Sequence, residues 1–143
     1  MYSEEEAWRE LQALLPSRNQ ITDDSKPLEN YKTINGMEIH IDEYERDALI
    51  SVVVLHGVGG NGRLLSFLAV PLARAGYNVL CPDLPGYGYS RSQKRVTYAD
   101  WIDVGSKIAG EELAKGRKVF LVGLSAGGML AYNVACRHQD VSG

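Results

Sequence analysis

The spacing of apolar and polar positions divides the chain into an N-terminal helix, a hairpin and an alternating series of strands and helices. Apolar residues recur at helical spacing between positions 3 and 15, and Ser3 with Glu6 matches a capping box. The polar stretch 17–30 that follows is typical of a loop or linker. Residues 1–30 are therefore predicted to be an amphipathic helix and linker, and residues 31–143 the main domain.

A hairpin is predicted at Asn35-Gly36, which separates the alternating segments Tyr31–Ile34 and Met37–Ile41. The charged residues 43–47 then predict a turn. His40 lies between two isoleucines, so it is expected on the polar, exposed face of its strand.

Three later apolar runs predict strands, and the first of them is continuous enough to predict a strand that is buried on both faces. Segments with helical spacing follow each of them, and Thr97 is placed to begin the second of these helices. The alternation predicts an α/β fold with a mostly parallel sheet, an N-terminal hairpin and flanking helices. The predicted strands are 49–55, 77–81 and 118–122, and the predicted helices are 63–75, 98–114 and 126–137.

Composition limits the possible partners and location. The 143 residues carry a net charge of −3, which gives no reason to expect nucleic acid or an anionic membrane as partner. No apolar run approaches the length of a membrane span, and the acidic N-terminus differs from a signal peptide. Cys81 and Cys136 each lie in an apolar run, so we expect no disulfide framework and a cytoplasmic protein.

The candidate chemistry lies at Ser125, between a predicted strand and a predicted helix. Gly123 and Gly127 flank it, and residues without Cβ are expected where two elements nearly collide. The serine is then expected to be strained, with its side chain projecting outward. A serine hydroxyl becomes an effective nucleophile only with a base and with donors for the developing oxyanion.

A glycine-rich loop after the first buried strand has two interpretations. Gly57, Gly59 and Gly62 have the spacing of a dinucleotide-binding loop, and Asp83 follows at the distance expected of a ribose ligand. Alternatively, a backbone N–H after His56-Gly57 forms an oxyanion hole with the N–H after Ser125. We favour the second interpretation because the turn at Ser125 has no role in a dinucleotide-binding fold.

Three motifs in this order resemble those of the α/β-hydrolase-fold serine hydrolases, and the resemblance covers the N-terminal part of that fold. The motifs are residues 56–60, 83–90 and 123–128. The similarity is nearest to the lysophospholipase, monoacylglycerol-lipase and serine-aminopeptidase-like group. It implies hydrolysis of a carboxylic ester or amide through an acyl-enzyme, without a cofactor or a metal.

The resemblance also implies a role for each matching residue. Ser125 would be the nucleophile, and the backbone N–H groups of Val58 and Ala126 would form the oxyanion hole. His56 and Asp83 would order their loops rather than act as bases. The remaining glycines that would set the geometry of the loop and turn are Gly57, Gly123, Gly127 and Gly128.

The acid and base that this family uses lie after the serine in sequence. Here only His138 and Asp140 follow, beyond a predicted helix of about 12 residues that would place them roughly 18 Å away. We therefore expect little or no hydrolytic activity from this chain alone. The sequence leaves three possibilities open. The chain is a piece of a longer enzyme, it is completed by another chain, or it binds ligands or partners without catalysis. The strand Lys118–Val122 would then be an exposed edge suited to self-association.

Overall fold

One mixed five-stranded sheet forms the centre of the molecule, with helices on both faces. The structure, a computed structural model, describes residues 1–143, and the strand order is β1-β2-β4-β3-β5. The predicted α/β fold is confirmed. The strands are β1 (Leu28–Ile34), β2 (Met37–Tyr44), β3 (Ile50–Leu55), β4 (Asn78–Pro82) and β5 (Lys118–Gly123). The helices are α1 (Glu6–Leu14), α2 (Ser66–Arg74), α3 (Tyr98–Ala114) and α4 (Ala126–Arg137).

The predicted hairpin is present as the antiparallel pair β1–β2. Ile34 faces Met37 across the turn. Asn35 and Gly36 both have positive φ, 51° and 75°, as the tight turn between twisted strands requires. The predicted turn at 43–47 is wrong at its start, because β2 continues to Tyr44, which is fully buried.

Strand β3 lies at the centre of the parallel part of the sheet. It pairs in parallel with β4 on one side and with β5 on the other. The carboxyl ends of all three strands therefore lie along one edge of the sheet, and the loops that follow them meet there. In open α/β sheets this edge is where ligands bind.

The two faces of β3 supply two separate hydrophobic cores. Val53 and Leu55 point towards α3 and α4, whereas Val52 and Val54 point towards α2. Because side chains alternate along a strand, a continuous apolar run is what a strand covered on both faces needs.

The N-terminal segment differs from its prediction. A 3-10 turn spans Tyr2–Glu4, and α1 begins only after Glu5 with no side-chain cap, so the predicted capping box of Ser3 and Glu6 is wrong. The Ser3 N–H instead donates to Glu29 Oε1 at 3.0 Å. The segment is thereby attached to β1, and Tyr2 is buried in the domain.

The outer edge of β5 is partly occupied by the end of the chain itself. The Ser142 N–H donates to Val119 O at 2.8 Å, and the Leu121 N–H donates to Gly143 O at 2.7 Å. Pairing of β5 with a second chain stays a prediction. No helix in the structure has both the length and the apolar character needed to cross a membrane.

Candidate active site at the Ser125 turn

Ser125 occupies a sharp turn between β5 and α4. Its φ of 56° and ψ of −124° lie in a region of backbone conformation that residues other than glycine rarely adopt. The Ser125 side chain does not cap α4, and the residue is exposed. The hydroxyl is thus held away from its own helix and open to a ligand.

Close approach of three backbone segments accounts for the glycines of this turn. A Cβ at Gly123 would overlap the carbonyl of Gly127, and a Cβ at Gly127 would overlap the carbonyl of Leu55. At Gly128 the nearest atom would lie at 3.5 Å, an ordinary contact. The crowding therefore requires glycine at 123 and 127 but not at 128.

Replacing Ser125 by glycine is expected to stabilise the chain by about 1 kcal/mol. Release of the strained backbone contributes about 1–3 kcal/mol, and the added freedom of the unfolded chain offsets part of it. Ser125→Ala, which keeps Cβ and therefore the strain, is the matched control. Urea unfolding of both variants measures the difference, and equal stability would show that the turn is unstrained.

Two backbone N–H groups near Ser125 have no acceptor in the chain. They belong to Val58, which is 72% exposed, and to Ala126, the first residue of α4. The loop of Val58 packs directly on the turn, since a Cβ at Gly57 would lie 3.1 Å from the Ser125 Cβ. Both donors are free for a ligand oxygen.

Two cavities flank the turn and share Val58 as a common wall. The α2 cavity, of about 300 Å³, includes Ser125, and the α3 cavity, of about 490 Å³, includes Ala126. The α2 cavity is otherwise lined by His56, Gly57, Gly60, Leu64, Leu65, Phe67 and Leu124. The α3 cavity is otherwise lined by Pro85, Gly86, Tyr87, Val96, Thr97, Tyr98 and Trp101.

His56 connects two of the loops at this edge of the sheet. Its Nε2 accepts the Leu84 N–H at 2.9 Å, so Nδ1 carries the proton and donates to Gly57 O at 2.7 Å. Burial holds the pKa of His56 below its usual range, against the opposite effects of the Gly57 carbonyl and Asp83. With both nitrogens in use, His56 is not placed to take a proton from Ser125.

Asp83 is fully buried, and its carboxylate oxygens accept hydrogen bonds from three groups of the chain. It accepts the Gly62 N–H at 2.6 Å, the Tyr2 hydroxyl at 2.8 Å and the Tyr89 N–H at 2.8 Å. These bonds tie the glycine loop, the N-terminal segment and the loop after β4 together. Asp83 is therefore not available to a ribose, which removes the main support for the dinucleotide interpretation.

His40 is a further residue that the sequence placed wrongly. It is fully buried rather than on an exposed strand face, because the N-terminal segment and the loop after β4 cover this part of β2. His40 Nδ1 lies 3.1 Å from Asp83 Oδ2, and Nε2 lies 3.5 Å from Glu29 Oε2. The alternation of polar and apolar residues along β2 could not predict this burial, because the residues that cover His40 are distant in sequence.

Arg63 completes a buried charged cluster with Glu29, His40, Asp42 and Asp83. Its Nε donates to Asp42 Oδ2 at 2.5 Å, and its Nη2 lies 3.3 Å from Glu29 Oε1. Glu29, His40 and Asp42 have the mutual distances of a three-ligand metal site. The Arg63 guanidinium is already paired with both carboxylates, so a metal ion placed there would lie beside an existing positive charge, and the group does not favour a cation.

Stability is expected to fall as the pH rises above about 6.5, the ordinary pKa of an unfolded histidine. Burial lowers the pKa of His40, but Asp83, Asp42 and Glu29 outweigh it and raise the value in the folded chain. Stability from a raised histidine pKa is complete below the unfolded pKa and is lost through the folded one. Urea unfolding from about pH 6 to about pH 9 should therefore show a steeper loss for the natural chain than for His40→Gln. Equal slopes would contradict the assignment.

His138 and Asp140 lie at the opposite end of α4 from Ser125, about 18 Å away by helix length. The His138 ring packs against α3, where a Cβ at Gly110 would lie 3.2 Å from its Cε1. All three histidines of the chain are thus engaged away from the Ser125 hydroxyl.

Comparison with known proteins identifies the family. The sequence pattern of the α/β hydrolase fold matches residues 50–142. The chain belongs to the α/β-hydrolase fold family. Over 116 residues this α/β-hydrolase-fold chain is 31% identical to a thermostable monoacylglycerol lipase of Bacillus sp. (strain H-257), covering 80% of the chain and 45% of the lipase. It is also 34% identical over 90 residues to the magnesium-chelatase 30 kDa subunit of Rhodobacter capsulatus, covering 59% of the chain and 29% of that protein.

Solved structures of other α/β-hydrolase-fold proteins superpose well on the chain. The thioesterase domain from the curacin biosynthetic pathway matches with a TM-score of 0.73 and 26% identity, covering 80% of this chain and 41% of that one. A bacterial membrane phospholipase A matches with a TM-score of 0.70 and 25% identity, covering 94% and 41%. The chain therefore spans less than half the length of each of these relatives. These relatives are named for different activities, so the fold alone does not determine the substrate.

Proposed function

We propose that Ser125 is the nucleophile of a serine hydrolase that acts on a carboxylic ester or amide. The observation that carries the proposal is the position of the Ser125 hydroxyl beside two unpaired N–H donors, those of Val58 and Ala126. Preorganised donors of this kind stabilise the charge that develops on a carbonyl oxygen. The similarity to a monoacylglycerol lipase supports an ester as substrate.

The proton of the Ser125 hydroxyl must pass to a base that these 143 residues do not provide. His56 uses both ring nitrogens, His40 is buried among carboxylates, and His138 lies beyond α4. The chain therefore supplies the nucleophile and oxyanion donors, while the histidine and its acid come from outside the described residues. The chain alone is expected to hydrolyse esters close to the background rate.

Hydrolysis of p-nitrophenyl butyrate by the purified chain tests this division of roles. Turnover should be near that of buffer. Imidazole hydrolyses this ester by itself, so the rate with imidazole and no protein is subtracted, and the remaining protein-dependent rate should rise with imidazole in the natural chain but not in Ser125→Ala. Rapid turnover without imidazole that is lost in Ser125→Ala would show that a base is present after all. Equal imidazole effects in both proteins would remove Ser125 from the chemistry.

A second candidate function is ligand binding without catalysis, and the engagement of all three histidines favours it. Under this alternative the Ser125 turn and its two cavities hold an ester or amide that is not cleaved. Saturable binding of a substrate analogue, together with no effect of imidazole on turnover, is its expected signature.

A further inference from the structure

We propose that a cavity beside helix α1 is a second ligand site, which binds a small aromatic molecule carrying one carboxylate group. This N-terminal cavity has a volume of about 480 Å³ and lies between α1, residues 20–26 and Arg63. It shares no lining residue with the α2 and α3 cavities beside Ser125. The proposal therefore stands whether or not Ser125 is reactive.

Helix α1 is attached to the domain by polar contacts and not by an apolar interface. None of its residues is buried. Gln12 makes two of the contacts, since its Nε2 donates to Ser66 Oγ at 3.1 Å and its Oε1 accepts the Ile21 N–H at 2.8 Å. Trp8 and Ala13 of the same helix line the cavity. A surface helix usually buries an apolar stripe against a core, so α1 has apolar surface left for another molecule.

A buried cation with an unused donor lines the same cavity. The Arg63 side chain is 3% exposed. Its Nε and Nη2 are bonded to Asp42, and Nη2 also lies 3.3 Å from Glu29. Nη1 has only the Ser3 hydroxyl, at 3.5 Å. Because a guanidinium carries two N–H donors on Nη1, at least one of them is available to an oxygen atom in the cavity.

The charged groups of the lining favour an anion. Arg9 and Lys26 are exposed, and neither side chain has an ion-pair or hydrogen-bond partner in the chain. Asp23 is the one acidic residue of the lining, because the carboxylate partners of Arg63 lie outside it. Since Arg63 is already paired, the unpaired groups leave an excess of one positive charge. This balance suits a ligand with a single negative charge.

The apolar part of the ligand is expected to pack on Trp8. The Trp8 ring packs edge to face on Tyr2, with 5.1 Å between the ring centroids. Tyr2 is buried in the domain, whereas Trp8 is only partly buried and keeps open apolar surface. Aromatic side chains bury a large apolar area, and the volume of the cavity is within the range of small-molecule sites.

Titration of the full chain with 3-phenylpropionate, followed by backbone amide chemical shifts, tests the proposal. We expect saturable binding with a Kd of about 1 mM. The neutral 3-phenylpropionamide and the cationic 3-phenylpropylamine should bind at least about fivefold more weakly. Phenyl phosphate, which carries more negative charge, should bind no more tightly than the carboxylate. Absence of saturation with 3-phenylpropionate, equal binding of the amine, or tighter binding of phenyl phosphate would overturn the proposal.

A pair of charge variants tests the role of the two unpaired cations. Arg9→Gln combined with Lys26→Gln should weaken the binding of 3-phenylpropionate by about fivefold. Arg95→Gln combined with Lys118→Gln is the matched control. It removes the same charge from two exposed residues outside the cavity and should leave the affinity unchanged. Equal losses in the two variants would show general attraction of the anion to the chain and would overturn the proposal.

A pair of alanine variants tests the position of the ligand without changing any charge. Ala13→Phe is expected to fill part of the cavity and to weaken the binding of 3-phenylpropionate. Ala7→Phe, on the same helix but outside the lining, should have no effect. Both alanines are exposed, so neither substitution is expected to unfold the chain. Unchanged binding in Ala13→Phe, or an equal loss in Ala7→Phe, would place the ligand elsewhere and overturn the proposal.

Discussion

Gly127→Ala is expected to destabilise the chain by about 3 kcal/mol or more, whereas Gly128→Ala, one residue later, is expected to stabilise it. A Cβ at 127 would overlap the carbonyl oxygen of Leu55 and lie 2.7 Å from that of His56. Both are backbone atoms of the central strand and its loop, which cannot move aside as a side chain would. Overpacking of this kind costs about 1–3 kcal/mol where side chains can adjust, and more where they cannot.

The neighbouring position isolates the cause. At Gly128 the nearest atom to a new Cβ would be 3.5 Å away, and alanine is favoured over glycine within a helix by about 1 kcal/mol. Urea unfolding of both variants gives the comparison. If both substitutions stabilise the chain, β3 and α4 do not approach each other closely enough for a Cβ at position 127 to overlap the Leu55 carbonyl.

Arg63→Met is expected to cost about 3–5 kcal/mol, because it leaves the buried carboxylates of Asp42 and Glu29 without their guanidinium partner. Arg63 is 3% exposed, and its partners Asp42 and Glu29 are 0% and 6% exposed. Methionine preserves much of the apolar stem, so the loss reports the charge and its hydrogen bonds. Thermal and urea unfolding both measure the change.

An exposed ion pair with similar geometry provides the control. Arg137 lies 2.6 Å from Asp103, but the two side chains are 47% and 38% exposed. Water screens such a pair, so Arg137→Met is expected to cost less than about 1 kcal/mol. Similar losses at positions 63 and 137 would contradict the view that burial makes the Arg63 cluster important.

Elements defined by local pattern were predictable from the sequence. The hairpin turn at Asn35-Gly36 and helix α3 after Thr97 lie where the sequence placed them, since each depends on residues close in the chain. Helix α3 begins at the predicted residue because Asp100 accepts the Thr97 N–H at 2.8 Å. Strand β3 was predictable as buried because a strand covered on both faces needs a continuous apolar run.

Features that depend on distant parts of the chain were not predictable. The buried cluster of His40 and Arg63 forms only when the N-terminal segment closes over β2, and no local spacing reports that contact. Tyr2 bonds to Asp83 across most of the chain length. Tyr87 borders the α3 cavity, whereas Tyr89 packs on Tyr2. Both tyrosines lie in the same glycine-rich loop, so the sequence provided no means of telling their positions apart.

Contacts explain only part of the glycine pattern that the sequence assigned to the candidate site. Crowding explains Gly123 and Gly127, but Gly128 is not required by contact. The roles of Ser125 and Val58 stay proposals, because position alone does not show reactivity.

The most direct test of Ser125 as the nucleophile is the reaction of the purified chain with a fluorophosphonate, followed by intact mass spectrometry with and without imidazole. We expect one adduct per chain, formed faster with imidazole and absent from Ser125→Ala. No adduct on the folded chain under either condition, or an adduct that persists in Ser125→Ala, would contradict the claim that Ser125 is the nucleophile.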